Sequence, residues 1–199
     1  MASVFLFSGF GKIIQIKMAN RKFRRENQTV AKVFAERVKQ HPDKIICYYR
    51  EETWTFRQMD HFSTRVANAF IKLGYQPGDE VSLFMQSSPE FIGIWLGLSK
   101  AGMITALVNT NQRKDCLLHA ILSIESKAVI YSADLEDPMA ESFDQLFARR
   151  SSLRYYRLGK AANCCIQAHD LSDLIEKEST EYPESMWKAN FEGSLDIKF

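Results

Sequence analysis

The chain has 199 residues, 46% of them hydrophobic and 25% charged, with a formal net charge of +2. That length can bury a real core, the composition is that of an ordinary globular protein, and the charge is too small to argue for a nucleic-acid partner. Cys47, Cys116, Cys164 and Cys165 show no C-x-x-C spacing, so they read as free thiols in a reducing compartment rather than as a disulfide framework.

Residues 1–28 carry Lys12, Lys17, Arg21, Lys22, Arg24 and Arg25 before the first acid, Glu26. Their apolar positions, Phe5, Phe7, Phe10, Ile13, Ile14 and Ile16, are interrupted by Lys12 and Gln15. The run is too short and too polar to span a bilayer, which takes about 20 apolar residues. It fits a basic arm against a membrane surface, and the plainer reading is a solvated terminus. No basic region precedes the apolar residues 2–7, as a signal peptide would require.

Thr29 then caps a helix whose apolar positions are Val30, Val33, Phe34 and Val38, and His41-Pro42-Asp43 ends it. Residues 44–50 and 53–56 are β-rich and flank Glu51-Glu52, which predicts a short hairpin. Thr55 and Gln58 form a T-x-x-Q capping box, and Gly74 stops the helix it starts. After the turn at Pro77-Gly78-Asp79, residues 80–85 read as a strand. Ser88-Pro89 opens the next helix, apolar on most faces through Phe91, Ile92, Ile94, Trp95, Leu96 and Leu98, so that it must be deeply buried. Gly102 ends it, and residues 103–108 read as a continuous apolar strand. A helix over 114–124 and a strand over 128–131 complete a βαβαβ pattern, the pattern of a parallel sheet. Beyond Ser132 the expectation is a helix over 138–148, a strand over 153–158, a short helix over 171–175 capped by Asp170, and a loop over 176–184. The fold class is α/β: a parallel βαβαβ sheet preceded by a helix and a short hairpin. Ligands of such sheets bind at the carboxyl ends of the strands, which places the polar loop 109–112 at the expected ligand edge.

Chemistry-bearing residues are sparse. There is no G-x-x-x-x-G-K-[ST], G-x-G-x-x-G or G-x-S-x-G, and the nine glycines are scattered, so no loop presents successive backbone N–H groups to a phosphate. Cys116 and His119 are helix neighbours without an orienting third group or an oxyanion donor, which makes them a plain helix face. Asp60 and His61 are adjacent and point in different directions on a helix. His169 and Asp170 fall in an expected loop, and no pair of ligands has zinc spacing. Trp54 reads as hairpin packing. Arg113 and Lys114 could meet an anion, and a solvated helix start is the plainer reading. No residue is assigned as catalytic, cofactor-binding or metal-binding.

The order of particular residues adds a resemblance. It runs through Thr29 to His41, Pro42-Asp43-Lys44, Trp54-Thr55-Phe56-Arg57-Gln58, Pro77-Gly78-Asp79, Glu90-Phe91, Trp95-Leu96-Gly97, Asn109-Thr110-Asn111, Arg113 and Leu117-Leu118-His119. Over residues 29–132 it resembles the front of the fatty acid transport proteins, also very-long-chain acyl-CoA synthetases of the acyl-adenylate-forming, AMP-binding superfamily. The resemblance implies the N-terminal part of the adenylate-forming fold over residues 29–199. It also implies a full-length activity that joins long or very-long-chain fatty acids to coenzyme A with ATP and magnesium and supports fatty acid uptake, at the endoplasmic reticulum or plasma membrane, with homo-oligomers possible. That family's phosphate loop, Tyr-Thr-Ser-Gly-Thr-Thr-Gly-x-Pro-Lys, is not in this sequence, and residues 194–199 resemble the lead-in to it. The expectation is a partial, N-terminal chain without adenylating activity of its own. The alternative is a non-catalytic short form that binds a membrane or a partner.

Overall fold

The computed structural model describes Lys17 and residues 29–161 and 165–182. The rest of the basic arm, Cys164 and the ending at 194–199 lie outside the described residues. The order is α1 (Val30–Gln40), β1 (Ile45–Tyr49), β2 (Glu52–Thr55), α2 (Phe56–Lys72), β3 (Glu80–Phe84), α3 (Pro89–Lys100), β4 (Ile104–Leu107), α4 (Lys114–Leu122), β5 (Ala128–Ser132), a 3₁₀ turn (Ala133–Leu135), α5 (Glu136–Arg149), β6 (Arg154–Leu158), β7 (His169–Asp170) and α6 (Leu171–Glu176).

The caps form where the sequence places them. Thr29 Oγ1 accepts from Lys32 N, Thr55 and Gln58 complete the reciprocal capping box, and Ser88 Oγ accepts from Phe91 N with Pro89 at the first helical position. Asp170 caps α6 through bonds from Ser172 N and Asp173 N. Gly74 leaves α2 at φ +89°, a conformation that costs a glycine little.

β1 and β2 pair antiparallel, and the main sheet has five parallel strands in the order β4-β3-β5-β6-β7. Alternation along the strands supplies two cores. Val81, Leu83, Ala128, Ile130 and Tyr156 pack against α2, α3 and α6. Phe84, Val129, Tyr131 and Tyr155 pack against α4 and α5 on the other face. A third cluster, Phe34, Met59 and Leu96 with Trp54, Phe56 and Trp95, seals α1 and the hairpin over the far side of α2 and α3. α3 is therefore covered from both sides, and none of its residues is exposed.

Two helices meet unusually closely. A Cβ on Gly97 would stand 2.6 Å from Ser63 O and 2.6 Å from Val66 Cβ, so only glycine permits this approach of α3 to α2. Lys100, one turn on, is 2% exposed. Its Nζ reaches Asp60 Oδ1 (2.7 Å), Ser63 Oγ (2.8 Å) and Thr64 Oγ1 (2.9 Å) and lies over the Phe34 ring. Burial pulls its titration below the ordinary lysine range, and Asp60 opposes that shift.

Three expectations change. The strand expected over 103–108 is Ile104–Leu107, and among the described residues it is an edge strand rather than a buried one: β3 is its neighbour, and Leu107 is 59% exposed. His169 and Asp170 make a two-residue strand beside β6 rather than a loop. The helix expected from residue 138 begins at Glu136, because β5 passes into it through the 3₁₀ turn.

Candidate functional site

From β3 the chain steps outward to β4, then returns past β3 to β5 and continues the other way. The order reverses at β3, and the loops leaving the carboxyl ends of β3 and β5 diverge toward opposite sides of the sheet. Such a switch point is where open α/β sheets take ligands. The segments leaving the carboxyl edge are Met85, Gln86 and Ser87 after β3, residues 108–113 after β4, and the 3₁₀ turn after β5.

A groove of about 290 Å³ opens between the ends of β3 and β4. Met85, Phe91, Leu107 and Val108 give it apolar walls, and Gln86, Ser87, Asn109 and Thr110 give it a polar rim. The rim is fixed by its own loop. Asn109 Oδ1 accepts from Asn111 N at 2.9 Å, and Arg113 Nη1 donates to Thr110 O (2.6 Å) and Gln112 O (2.7 Å). Arg113 thus clamps the loop's carbonyls while it and Lys114 stay exposed at the start of α4, the solvated helix start read from sequence.

On the β5 side the fixed group is a carboxylate. Glu136 is 4% exposed; its Oε2 accepts from Tyr131 OH (2.8 Å) and faces Arg157 Nη1 (3.5 Å), while Oε1 accepts from Cys165 N (3.0 Å) and Ile166 N (3.1 Å). Burial and this carboxylate push the Tyr131 phenol well above its ordinary range. Glu136 fastens the segment after β6 to the carboxyl edge. Ser132 Oγ and Gln112 Oε1 are buried at the same edge without a partner.

Other candidates fall elsewhere. Cys116 and His119 lie exposed on α4. The His169 ring lies tilted against Tyr156 at 5.5 Å, and Trp54 packs edge-on against Phe62 at 5.6 Å. Asp60 receives Lys100 while His61 is exposed. Sequence reasoning missed Glu136 and Lys100. The one available signal for Lys100 was a lone lysine in a helix otherwise too apolar to meet water.

A larger cleft, about 560 Å³, lies at the amino-terminal edge among Tyr75, Asp79, Lys127, Arg150 and Arg154. Its charges are engaged in structure: Arg150 donates to the carbonyls of Leu122, Ile124 and Ser126, and Lys127 pairs with Asp79. The candidate edge is the carboxyl one, on topology rather than size.

Chemically, this edge can seat and orient an amphipathic ligand. Among the described residues no group of three or more His, Cys, Asp or Glu side chains could hold a metal ion. The positive-φ glycines, Gly74, Gly78, Gly102 and Gly159, sit singly in separate turns and do not form a cradle for the phosphates of ATP. No helix among the described residues is long and apolar enough to cross a membrane.

The sequence model of the family described as AMP-binding enzyme matches residues 34–186. Long-chain fatty acid transport protein 1 of Rattus norvegicus is 36% identical over 140 residues, covering 69% of this chain and 22% of that protein. Among solved structures, the anthranilate CoA ligase AuaEII in complex with anthranoyl-AMP matches at TM-score 0.67 and 18% identity, over 76% of this chain and 28% of that one. The N-terminal domain of FACL13 from Mycobacterium tuberculosis matches at TM-score 0.63 and 22% identity, over 78% of this chain and 38% of that one. The present chain thus spans about a fifth of the length of the curated relatives it matches.

Proposed function

The chain belongs to the AMP-binding enzyme family, and from that premise we propose that it is the scaffold-bearing front of a fatty acid transport protein/acyl-CoA synthetase. Residues 29–199 make up the N-terminal portion of the adenylate-forming domain. The whole protein activates long or very-long-chain fatty acids with ATP and magnesium, passes the acyl group to coenzyme A, and works at an intracellular membrane surface that the basic residues 1–28 approach. The observation that carries the reading is the 36% identity to a long-chain fatty acid transport protein across a stretch that contains the switch-point loops.

Within that protein the described residues hold and orient. The Arg113 clamp fixes the loop after β4 and the Glu136 anchor the segment after β6, and the apolar groove with its carboxamide rim faces the space where a fatty acid carboxyl end and an adenylate would meet. No acid, base or phosphate-binding group is assigned to these residues, so the 199-residue chain alone does not form acyl-adenylate.

The test is a graft. Residues 34–186 replace the matching segment of the rat transport protein 1, and fatty-acid-dependent ATP–pyrophosphate exchange is measured. The graft retains exchange on palmitate or oleate. A folded graft without fatty-acid-dependent exchange rejects the assignment.

A further inference from the structure

The cleft at the amino-terminal edge of the main sheet, about 560 Å³, opens between the turn after α2 and the segments that enter β5 and β6. That volume falls within the range of small-ligand sites, about 300–1,000 Å³. Its charge does not balance. Three cations line it, Lys127, Arg150 and Arg154, against two carboxylates, Asp79 and Glu125.

The fold uses these groups unequally. Asp79 is fully engaged: Oδ1 takes Lys127 Nζ, Oδ2 accepts from Gln76 N at 2.9 Å, and the side chain is 11% exposed. Glu125 is exposed and offsets one further cation at most. Arg150 donates to Ile124 O (2.7 Å), Ser126 O (3.3 Å) and Leu122 O (3.3 Å), the carbonyls that end α4. These neutral partners fix the guanidinium in place and leave its charge whole. Arg154 has less to do in the fold. It lies over the Tyr75 ring at 5.7 Å and makes one long bond, 3.4 Å, to Leu73 O. The ring beneath it is a neutral phenol, because burial holds the Tyr75 titration well above its ordinary range. Neither arginine pairs with a carboxylate among the described residues. Ser152, between them in sequence, lines the same cleft and is exposed.

We propose that this cleft is a binding site for a phosphate monoester, held by Arg150 and Arg154 with Ser152 and Lys127 as further donors. A guanidinium presents its N–H groups in a fixed fork that matches phosphate oxygens, and two such cations match the double charge of a monoester better than the single charge of a carboxylate. The cleft is larger than a phosphate group alone, so the ester carries an organic part, with Leu73 as an apolar wall for it. That part can belong to a soluble metabolite or to a lipid headgroup; the chemistry at the arginines is the same. The site lies at the opposite edge of the sheet from the switch point and does not depend on the family reading.

Nuclear magnetic resonance titration of the isotope-labelled 199-residue chain with phenyl phosphate, at constant ionic strength, tests this. The expected result is saturable amide shifts confined to residues 73–79, 125–127 and 150–154, with a Kd of about 1 mM or lower and a melting temperature that rises with the ligand. Benzoate, a carboxylate on the same ring, binds about tenfold more weakly or worse. Arg154→Gln keeps the fold, because the side chain is exposed and makes one long bond, and weakens phenyl phosphate binding by about tenfold or more. Arg57→Gln, which removes a cation at the start of α2, leaves binding unchanged. Flotation with phosphatidylcholine vesicles, with and without phosphatidic acid, separates the two sources. Binding to phosphatidic acid vesicles without shifts from phenyl phosphate, and lost in Arg154→Gln, supports the site and assigns its phosphate to lipid. Absence of binding to both probes overturns the proposal. So does binding that Arg154→Gln leaves intact, binding of benzoate equal to that of phenyl phosphate, or shifts confined to the loops at the carboxyl edge.

Discussion

Replacing Gly97 by alanine tests the central packing event of the fold. The added Cβ would lie 2.6 Å from Ser63 O, 2.6 Å from Val66 Cβ and 2.7 Å from Val66 Cγ1. Carbon contacts settle near 3.5–4.0 Å, so α2 and α3 must part locally by on the order of 1 Å. The closest obstacle includes main chain, which cannot rotate away. Ser63 also holds Lys100 through its hydroxyl, so displacing it loosens the buried ammonium as well. Overpacking of this kind costs roughly 1–3 kcal/mol, and alanine in a helix returns about 1 kcal/mol relative to glycine. Taking the upper part of that range, Gly97→Ala destabilises the chain by about 2 kcal/mol, a fall of roughly 4–8 °C in melting temperature for a domain this size. Gly93→Ala is the internal comparison. Its new Cβ would meet the Phe62 ring at 2.4 and 2.8 Å, and a ring can turn, so the loss is smaller. Thermal and urea unfolding followed by circular dichroism measure both. If Gly97→Ala melts at or above the wild-type temperature, helix propensity outweighs the contact and the close-approach argument is wrong.

Lys100→Met leaves the Ser63 and Thr64 hydroxyls without their cation and separates Asp60 from its partner, for a loss of about 3 kcal/mol at pH 7. Because burial lowers the Lys100 titration in the fold, the unfolded chain holds that proton more strongly. Wild-type stability therefore gains on the variant as pH rises from the lowered folded value toward 10.5, and urea midpoints at pH 7 and pH 10 report it. Tyr155 is the opposite case: burial pushes its phenol up to about 12, and its hydroxyl is buried with no partner. The folded chain keeps that proton while the unfolded chain loses it near pH 10, so the phenol's contribution to stability falls as pH rises from about 10 to 12. Tyr155→Phe leaves stability at pH 7 unchanged or higher by about 1 kcal/mol, and its advantage widens above pH 10; a variant less stable than wild type at both pH values contradicts the assignment.

The parts of the fold legible in sequence were those governed by local chemistry. Thr55 with Gln58, Ser88 with Pro89, and Asp170 each mark a helix start because the cap lies within three residues of what it caps. The 89–100 segment, apolar on most faces, announced a deeply buried helix, and α1, the hairpin and the sheet cover it. Strand order was not legible, because nothing local to residues 104–107 says whether one neighbour or two will lie beside them. Their apolar run read as buried although β4 is an edge among the described residues. The Lys100–Asp60 pair spans 40 residues and Glu136 reaches the backbone 30 residues on, so neither left a local pattern. At the candidate site, sequence placed the loop 109–112 at the ligand edge. The groove beside Gln86 depends on the ends of β3 and β4 lying side by side, which no local pattern announces.

The most direct test of the scaffold account is ATP–pyrophosphate exchange by the purified 199-residue chain, shown by circular dichroism to be folded, with palmitate, magnesium and ATP. The account predicts exchange no greater than in the control without fatty acid. Fatty-acid-dependent exchange that persists through further purification would place adenylating chemistry within these residues and contradict it.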